Sequence, residues 1–253
     1  MWISTEGDNV KKVLILGANG FVGKELCKEA IRKGMQPVGV CRSGRPNINE
    51  EWVNQVDWRA IDALQESEEN GGPLTDLLME GGYCGVIHSI GILFDYTTRL
   101  KFMNKWLSGS GNVAKSPKDN YHYINYQTAI KAFWATKRAE INNPNIRFGF
   151  VSASETRWRN QWFGKRIERL LPSFAKRYLS AKRRAMDEMQ SEGGVHIYFP
   201  SIVYRWRQIT KVPVILGFII SSPFLPFIHK PIHVEKLAKQ IMKDMNWETP
   251  TPK

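Results

Sequence analysis

Tyr178 and Lys182 stand four residues apart in the run Tyr178-Leu179-Ser180-Ala181-Lys182, inside a stretch from Ala175 to Gln190 that reads as a helix. That spacing puts both side chains on one helical face, a single turn apart. A phenol with a pKa of ~10 is a poor acid at neutral pH, and an ammonium one turn away lowers the cost of forming phenolate. The pair suits proton transfer to or from a carbonyl or alcohol, with Tyr178 as acid/base. A hydroxyl is then needed to orient the substrate oxygen. Ser152 and Ser154 follow a predicted fifth strand, and Ser154, 24 residues before the tyrosine, is the candidate. Lys176, Arg177, Arg183 and Arg184 flank the pair, so the spacing also fits a basic, solvated helix.

A second group of residues speaks to phosphate chemistry. The apolar run Val13-Leu14-Ile15-Leu16 passes directly into Gly17-x-x-Gly20-x-x-Gly23 and then into a helical pattern from Lys24 to Lys33. A strand, a tight glycine turn and a helix N-terminus present backbone amides and the helix dipole to a pyrophosphate. Gly17 allows the sharp exit, Gly20 keeps side-chain atoms off the phosphates, and Gly23 lets the helix pack close to the sheet; Asn19, Phe21 and Val22 complete the cradle. In this context the motif reads as dinucleotide binding. At the end of the second strand the chain carries Cys41-Arg42-Ser43, with Arg45 nearby and no acidic residue. An acid there would bond ribose hydroxyls and repel a 2′-phosphate, whereas guanidinium and hydroxyl groups suit that phosphate, so NADP(H) is favoured over NAD(H). Asp62 falls where an adenine edge would lie.

Other elements must carry these groups to one place. Pro37 to Cys41, Val56 to Ile61, Gly85 to Gly91, Ile146 to Val151 and Val195 to Phe199 read as further strands, the fourth strand closing on a turn of small residues. Helical patterns from Leu74 to Met79 and Ile124 to Ile141 fall between them, and Val234 to Met242 reads as a last helix packed on the sheet. Repeated strand and helix units predict an α/β fold, a Rossmann-type doubly wound parallel sheet with a small C-terminal substrate-side region. Residues 11–253 read as one domain behind an extension at 1–10, and Lys101 to Asn120 as an insertion. With 36 Lys and Arg against 24 Asp and Glu, the formal net charge of +12 draws nucleotide phosphates, anionic headgroups or nucleic acid alike. Cys27, Cys41 and Cys84, odd in number and without metal-ligand spacing, read as reduced thiols. The first ten residues show neither a signal-peptide core nor an arginine-rich presequence.

Taken together, GANGFVG, the fourth-strand VIHSIGIL, Asn125, the serines of VSAS and the YLSAK pair resemble a short-chain dehydrogenase/reductase of the extended or atypical branch. CRSGRP, INYQTAIKAF, YLSAKRRAMDEM and LPFIHKPIHVEKLAKQIM are similar, more narrowly, to the mitochondrial coenzyme-Q-biosynthesis-associated group, which is related to the nucleotide-binding accessory subunit of respiratory complex I. The likeness covers roughly residues 11 to 243. It implies cofactor contacts from Ser89, Ile90, Gly91, Asn125, Lys182 and Pro200, a location on the matrix side of the mitochondrial inner membrane, and a quinone or lipid substrate. Relatives usually show an arginine before the proline after the sixth strand; here Phe199 precedes Pro200-Ser201.

Two segments leave alternatives open. Val212 to His229 is apolar but interrupted by Pro213, Pro223 and Pro226 and short for a bilayer-spanning helix. With the rest of an apolar region at about 201–235, it fits either a flap resting on a membrane or quinone tail, or a substrate-side core. In the flap reading Trp206, Phe224 and Phe227 are anchors and Arg205, Arg207 and Lys211 face headgroups. Arg157 to Arg166, basic and rich in tryptophan, fits a lid, a partner surface or an amphipathic elaboration; nucleic-acid binding is disfavoured because no recognised module accompanies it. Two functions follow: an oxidoreductase transferring hydride between a nicotinamide and a carbonyl, alcohol or quinone-like lipid, or a non-catalytic nucleotide-binding subunit in a respiratory or ubiquinone-synthesis assembly.

Overall fold

The structure, a computed structural model, describes residues 10–104, 114–206 and 230–245. Six strands form a parallel sheet: β1 Lys12–Leu16, β2 Gln36–Cys41, β3 Asp57–Ala60, β4 Tyr83–His88, β5 Arg147–Val151 and β6 Val195–Tyr198, in the order β3-β2-β1-β4-β5-β6. Val13 to Leu16 are fully buried, as a central parallel strand covered on both faces must be, which is why β1 reads as an unbroken apolar run. Strand order reverses at the β1/β4 pair, β2 and β3 lying to one side and β5 and β6 to the other, and a Rossmann sheet opens its ligand crevice beyond the carboxyl ends of the strands at that point.

Two apolar layers hold the helices. On one face, α2 (Pro73–Met79), α3 (Thr128–Glu140) and α5 (Ser173–Glu192) pack Leu74, Phe133 and Met189 against Leu14, Val86 and Phe148. On the other, α1 (Phe21–Arg32) and the last helix, α6 (Val234–Asp244), pack together over Val13, Ile15 and Ile87 through Leu26, Cys27, Ile241 and Met242. β2 comes close to its neighbours because Gly39 has no side chain: a Cβ there would stand 2.9 Å from Val56 and 3.0 Å from Ala18. The three cysteines are unbridged.

Three departures from the sequence reading concern the region around the crevice. The fourth strand ends at His88, freeing Ser89 to Gly91 as a turn. The helix expected from Ile124 opens with a π turn, His122–Gln127, ahead of α3, and this widened turn contains Asn125, whose side chain is spent on the backbone of Ile92. Arg157 to Arg166 folds into parts of a 3-10 turn, Ser154–Asn160, and a short helix, α4 (Gly164–Leu170). A two-stranded parallel pair, β7 (Val203–Tyr204) with β8 (Ile232–His233), frames the C-terminal region. Residues 1–9, 105–113, 207–229 and 246–253 lie outside the described residues, and with them the middle of the expected insertion and the apolar stretch bearing Phe224 and Phe227. No described helix is long and apolar enough to cross a membrane.

Candidate dinucleotide and substrate cleft

The glycine turn is built by its own backbone. Gly17 has a φ of +81°, and a Cβ on it would press against Ile90 at 3.1 Å; Cβ atoms on Gly20 and Gly23 would stand 2.8 and 2.2 Å from the Gly17 carbonyl oxygen. Only hydrogen fits at the last two sites before any ligand is considered. The constraint at Gly23 is the turn's own carbonyl, closer than the sheet packing expected from the sequence. Gly20 caps α1 without a side chain, and the first turn carries no acid, so the amides there have neither an intrahelical acceptor nor a competing carboxylate. That end of α1 can accept a diphosphate.

Beyond this turn a cleft of about 740 Å³ runs across the carboxyl ends of the strands. Its nucleotide half is walled by Gly17, Asn19, Gly20, Phe21 and Val22, by Arg42 and Ser43 after β2, and by Asp62 after β3; Ser89, Ile90 and Gly91 close the floor after β4. Ser89 is a staple, giving both its N–H (3.0 Å) and its hydroxyl (2.7 Å) to the carbonyl that ends β1 at Leu16. Asp62 caps the turn after β3 by accepting from Leu64 N–H at 3.0 Å. Arg42 reaches the cleft half-exposed, paired at 3.1 Å with Asp119, whose carboxylate also accepts from the Lys115 and Ser116 amides. Burial pushes the Asp119 pKa up, but these donors outweigh it and hold the group below its ordinary value, so it remains a charged anchor for Arg42.

The other half of the cleft holds Tyr178 and Lys182 of α5, with Val151 to Ala153 after β5 and Pro200 to Val203 after β6. Lys182 is buried. Its ammonium donates to the Val151 carbonyl at 2.9 Å and lies 4.7 Å above the Phe150 ring, and burial pulls its pKa down to about 7. Tyr178 packs edge-on against Tyr121, ring centroids 5.9 Å apart. Burial raises its pKa, and the carboxylate of Glu155 and the neighbouring Tyr121 add to the rise. The lowering expected from Lys182 is absent in this arrangement, because the ammonium is turned to Val151. Leu93, Trp158, Leu171 and Leu179 make the surrounding wall apolar.

A family model described as "NAD dependent epimerase/dehydratase family" matches residues 13–75, from β1 through α2. MIOREX complex component 2 of Saccharomyces cerevisiae is 25% identical over 222 residues, 78% of this chain and 72% of that protein. Among solved structures, ElxO with NADP bound aligns with a TM-score of 0.63 at 12% identity, covering 94% of this chain and 92% of that one. An oxidoreductase of the short chain dehydrogenase/reductase family from Burkholderia thailandensis aligns at 0.59 with 13% identity, covering 94% and 86%. The chain resembles an atypical short-chain dehydrogenase/reductase.

Set against the pattern of that family, the structure redistributes several expected roles. Ser154 is buried off the cleft wall, its hydroxyl without a partner among the described residues, while Ala153 and Glu155 on either side do face the cleft. The other serine, Ser152, is on the wall but gives its hydroxyl to Met186 Sδ at 2.9 Å. Arg45 bonds Asn54 and is not part of the wall. Asn125 is a positioning residue: it accepts from Ile92 N–H at 2.8 Å and donates to Ile92 O at 3.0 Å, and Asn104 clamps Phe94 the same way. Pro200 lines the cleft, its carbonyl accepting from Ser154 N–H at 2.8 Å. Where relatives carry an arginine, Phe199 lies beneath the Arg157 guanidinium at 5.2 Å. Sequence reasoning missed Glu155, Trp158, Leu171, Ala175 and Thr128; Ala175, Tyr178, Leu179 and Lys182 follow a helical spacing that would have exposed the α5 part of the wall.

Proposed function

We propose that this chain binds a nicotinamide dinucleotide, NADP(H) in preference to NAD(H), and uses it to reduce or oxidise an apolar carbonyl, alcohol or quinone-like lipid. The observation that carries this reading is that one continuous cleft holds an uncapped helix N-terminus behind a glycine turn at one end and Tyr178 beside Lys182 at the other. The cofactor supplies the hydride. Tyr178 gives a proton to the substrate oxygen as the carbon is reduced and takes one back in the reverse direction. Lys182, once its ammonium leaves Val151 for the ribose, holds the nicotinamide end and favours phenolate. Arg42 and Ser43 meet the ribose 2′-phosphate, Asp62 faces the adenine, and Leu93, Trp158, Leu171 and Leu179 keep water from the reacting atoms.

A second reading has an observation in its favour. With Ser154 buried away from the cleft and Ser152 bonded to Met186, the hydroxyl that would complete a serine, tyrosine and lysine set is missing from the wall. A nucleotide-stabilised subunit of a larger assembly needs no such set, and the likeness to a named complex component supports that alternative. The resemblance to the coenzyme-Q-associated group supports a mitochondrial location for either role. Tyr178→Phe decides between them. In the enzyme reading, Tyr178→Phe keeps folding and NADPH binding while NADPH oxidation with short-chain quinones or apolar aldehydes falls by ~10² or more. Normal cellular function with Tyr178→Phe, in a protein whose melting temperature still rises with NADPH, leaves the nucleotide as a structural cofactor.

A further inference from the structure

The segment between β5 and α5 has two faces of opposite character. Its inner face is fixed: a Cβ on Gly164 would stand 1.7 Å from the Trp158 carbonyl oxygen, so α4 is set directly on the 3-10 turn. Arg183 of α5 braces both pieces, donating to the Thr156 carbonyl at 2.9 Å and to Glu168 at 2.9 Å. The outer face carries Trp162 and Leu170, 85% and 86% exposed. Lys165, Arg166 and Arg169 of α4 are exposed as well, none with an acidic partner among the described residues, and Lys176 of α5 adjoins them by donating to the Arg169 carbonyl at 2.9 Å. Within α4, Arg166, Arg169 and Leu170 follow one helical stripe, and Trp162 stands in the turn just before the helix. Next to the patch in the chain, Leu171 belongs to the cleft wall, as does Trp158 under Gly164.

We infer that this outer face of α4 docks the protein on an anionic lipid bilayer, with Trp162 and Leu170 entering the interface and the bases meeting lipid phosphates. Charge complementarity selects an anionic partner, and the pair of exposed apolar side chains selects a bilayer among anionic partners. An indole can stack on a base, but an aliphatic side chain held out in water beside four cations gains only from hydrocarbon. Because the inner side of the same segment lines the cleft, docking sets the mouth of the site at the membrane surface. An apolar substrate then enters without crossing water.

Vesicle flotation of the full chain tests this without requiring turnover. Wild type should float with phosphatidylcholine vesicles containing phosphatidylserine and lose most of that binding on pure phosphatidylcholine or in high salt. Trp162→Ser with Leu170→Ser, and separately Lys165→Glu with Arg169→Glu, should each lower the bound fraction about fivefold or more. Thermal melting and NADPH titration of the variants should stay as in wild type, since no altered side chain lines the cleft or the core. Failure of wild type to float, or flotation of both double variants within twofold of wild type, overturns the inference. So does wild-type binding to a single-stranded RNA probe that the double variants lose while still floating like wild type. Absent NADPH binding in wild type counts against the cofactor reading and leaves the flotation result standing.

Discussion

Two arginines that look equivalent in sequence are not so in space. Arg42 reaches the cleft and is steadied by Asp119, whereas Arg45 is tied to Asn54 away from it. Arg42→Ala should therefore weaken NADPH by about 1 to 3 kcal/mol and leave NADH nearly unchanged, while Arg45→Ala should change neither; fluorescence titration of both nucleotides measures it. The separation depends on Asp119, 77 residues further along, and no local pattern in CRSGRP could reveal it. Lys182 permits another test. Its ordinary pKa is 10.5 and burial brings it to about 7, so between these values the unfolded chain holds a proton that the folded chain has released. Stability carried by this group must rise with pH from about 7 upward. Raised thiol and phenol pKa values, as at Cys27 and Tyr178, oppose the rise at higher pH but are common to wild type and variant. Across pH 7 to about 9, nucleotide-free wild type should gain melting temperature relative to Lys182→Met. Parallel curves would mean that Lys182 keeps its proton in the fold.

At the scale of elements, the loop after β3 depends on a buried ion pair. Glu66, its side chain fully buried, accepts from the Leu74 amide at 2.9 Å, from the Thr75 hydroxyl and from Arg138 of α3 at 2.8 Å. It caps α2, and Arg138 also holds the carbonyls of Ser67 and Glu68 at 2.8 Å. Arg138→Met leaves a carboxylate buried without its cation and should cost about 3 to 5 kcal/mol, read by urea unfolding; Glu66→Gln with Arg138→Met should recover part of that loss. Asp62 rides on this loop, so the single variant should also loosen nucleotide binding. Strands and major helices were legible within a few residues because buried parallel strands are unbroken apolar runs and α1, α5 and α6 have one apolar stripe each. The π turn, the 3-10 turn and α4 were not. Their shapes follow from contacts far apart in sequence, such as Asn125 with Ile92 and Arg183 with Glu168 and Thr156. The same cause separates the legible half of the site from the rest. A glycine turn is local: Gly17 and Gly20 fall in the turn between β1 and α1, and Gly23 in the first turn of α1, where the spacing puts them. Ser154 was chosen by spacing from Tyr178, yet which way its hydroxyl faces is decided by the turn that Pro200 and Ala153 anchor.

For the molecule as a whole, α6 closes over α1, so the last described helix completes a core begun by the first. On the ribosome this imposes a wait. About 200 residues separate the two helices, so at ordinary synthesis rates the apolar face of α1 stays uncovered for roughly 10 to 40 s. The central strand meets the same delay, since β1 pairs with β4 some 70 residues later. The nascent chain thus carries a sticky surface until α6 has been made and covers it. Removing the chain from Val234 onward should give protein that pellets on centrifugation while the full chain stays in the supernatant. A product terminated before α6 keeps its apolar face exposed and presents it to chaperones and proteases.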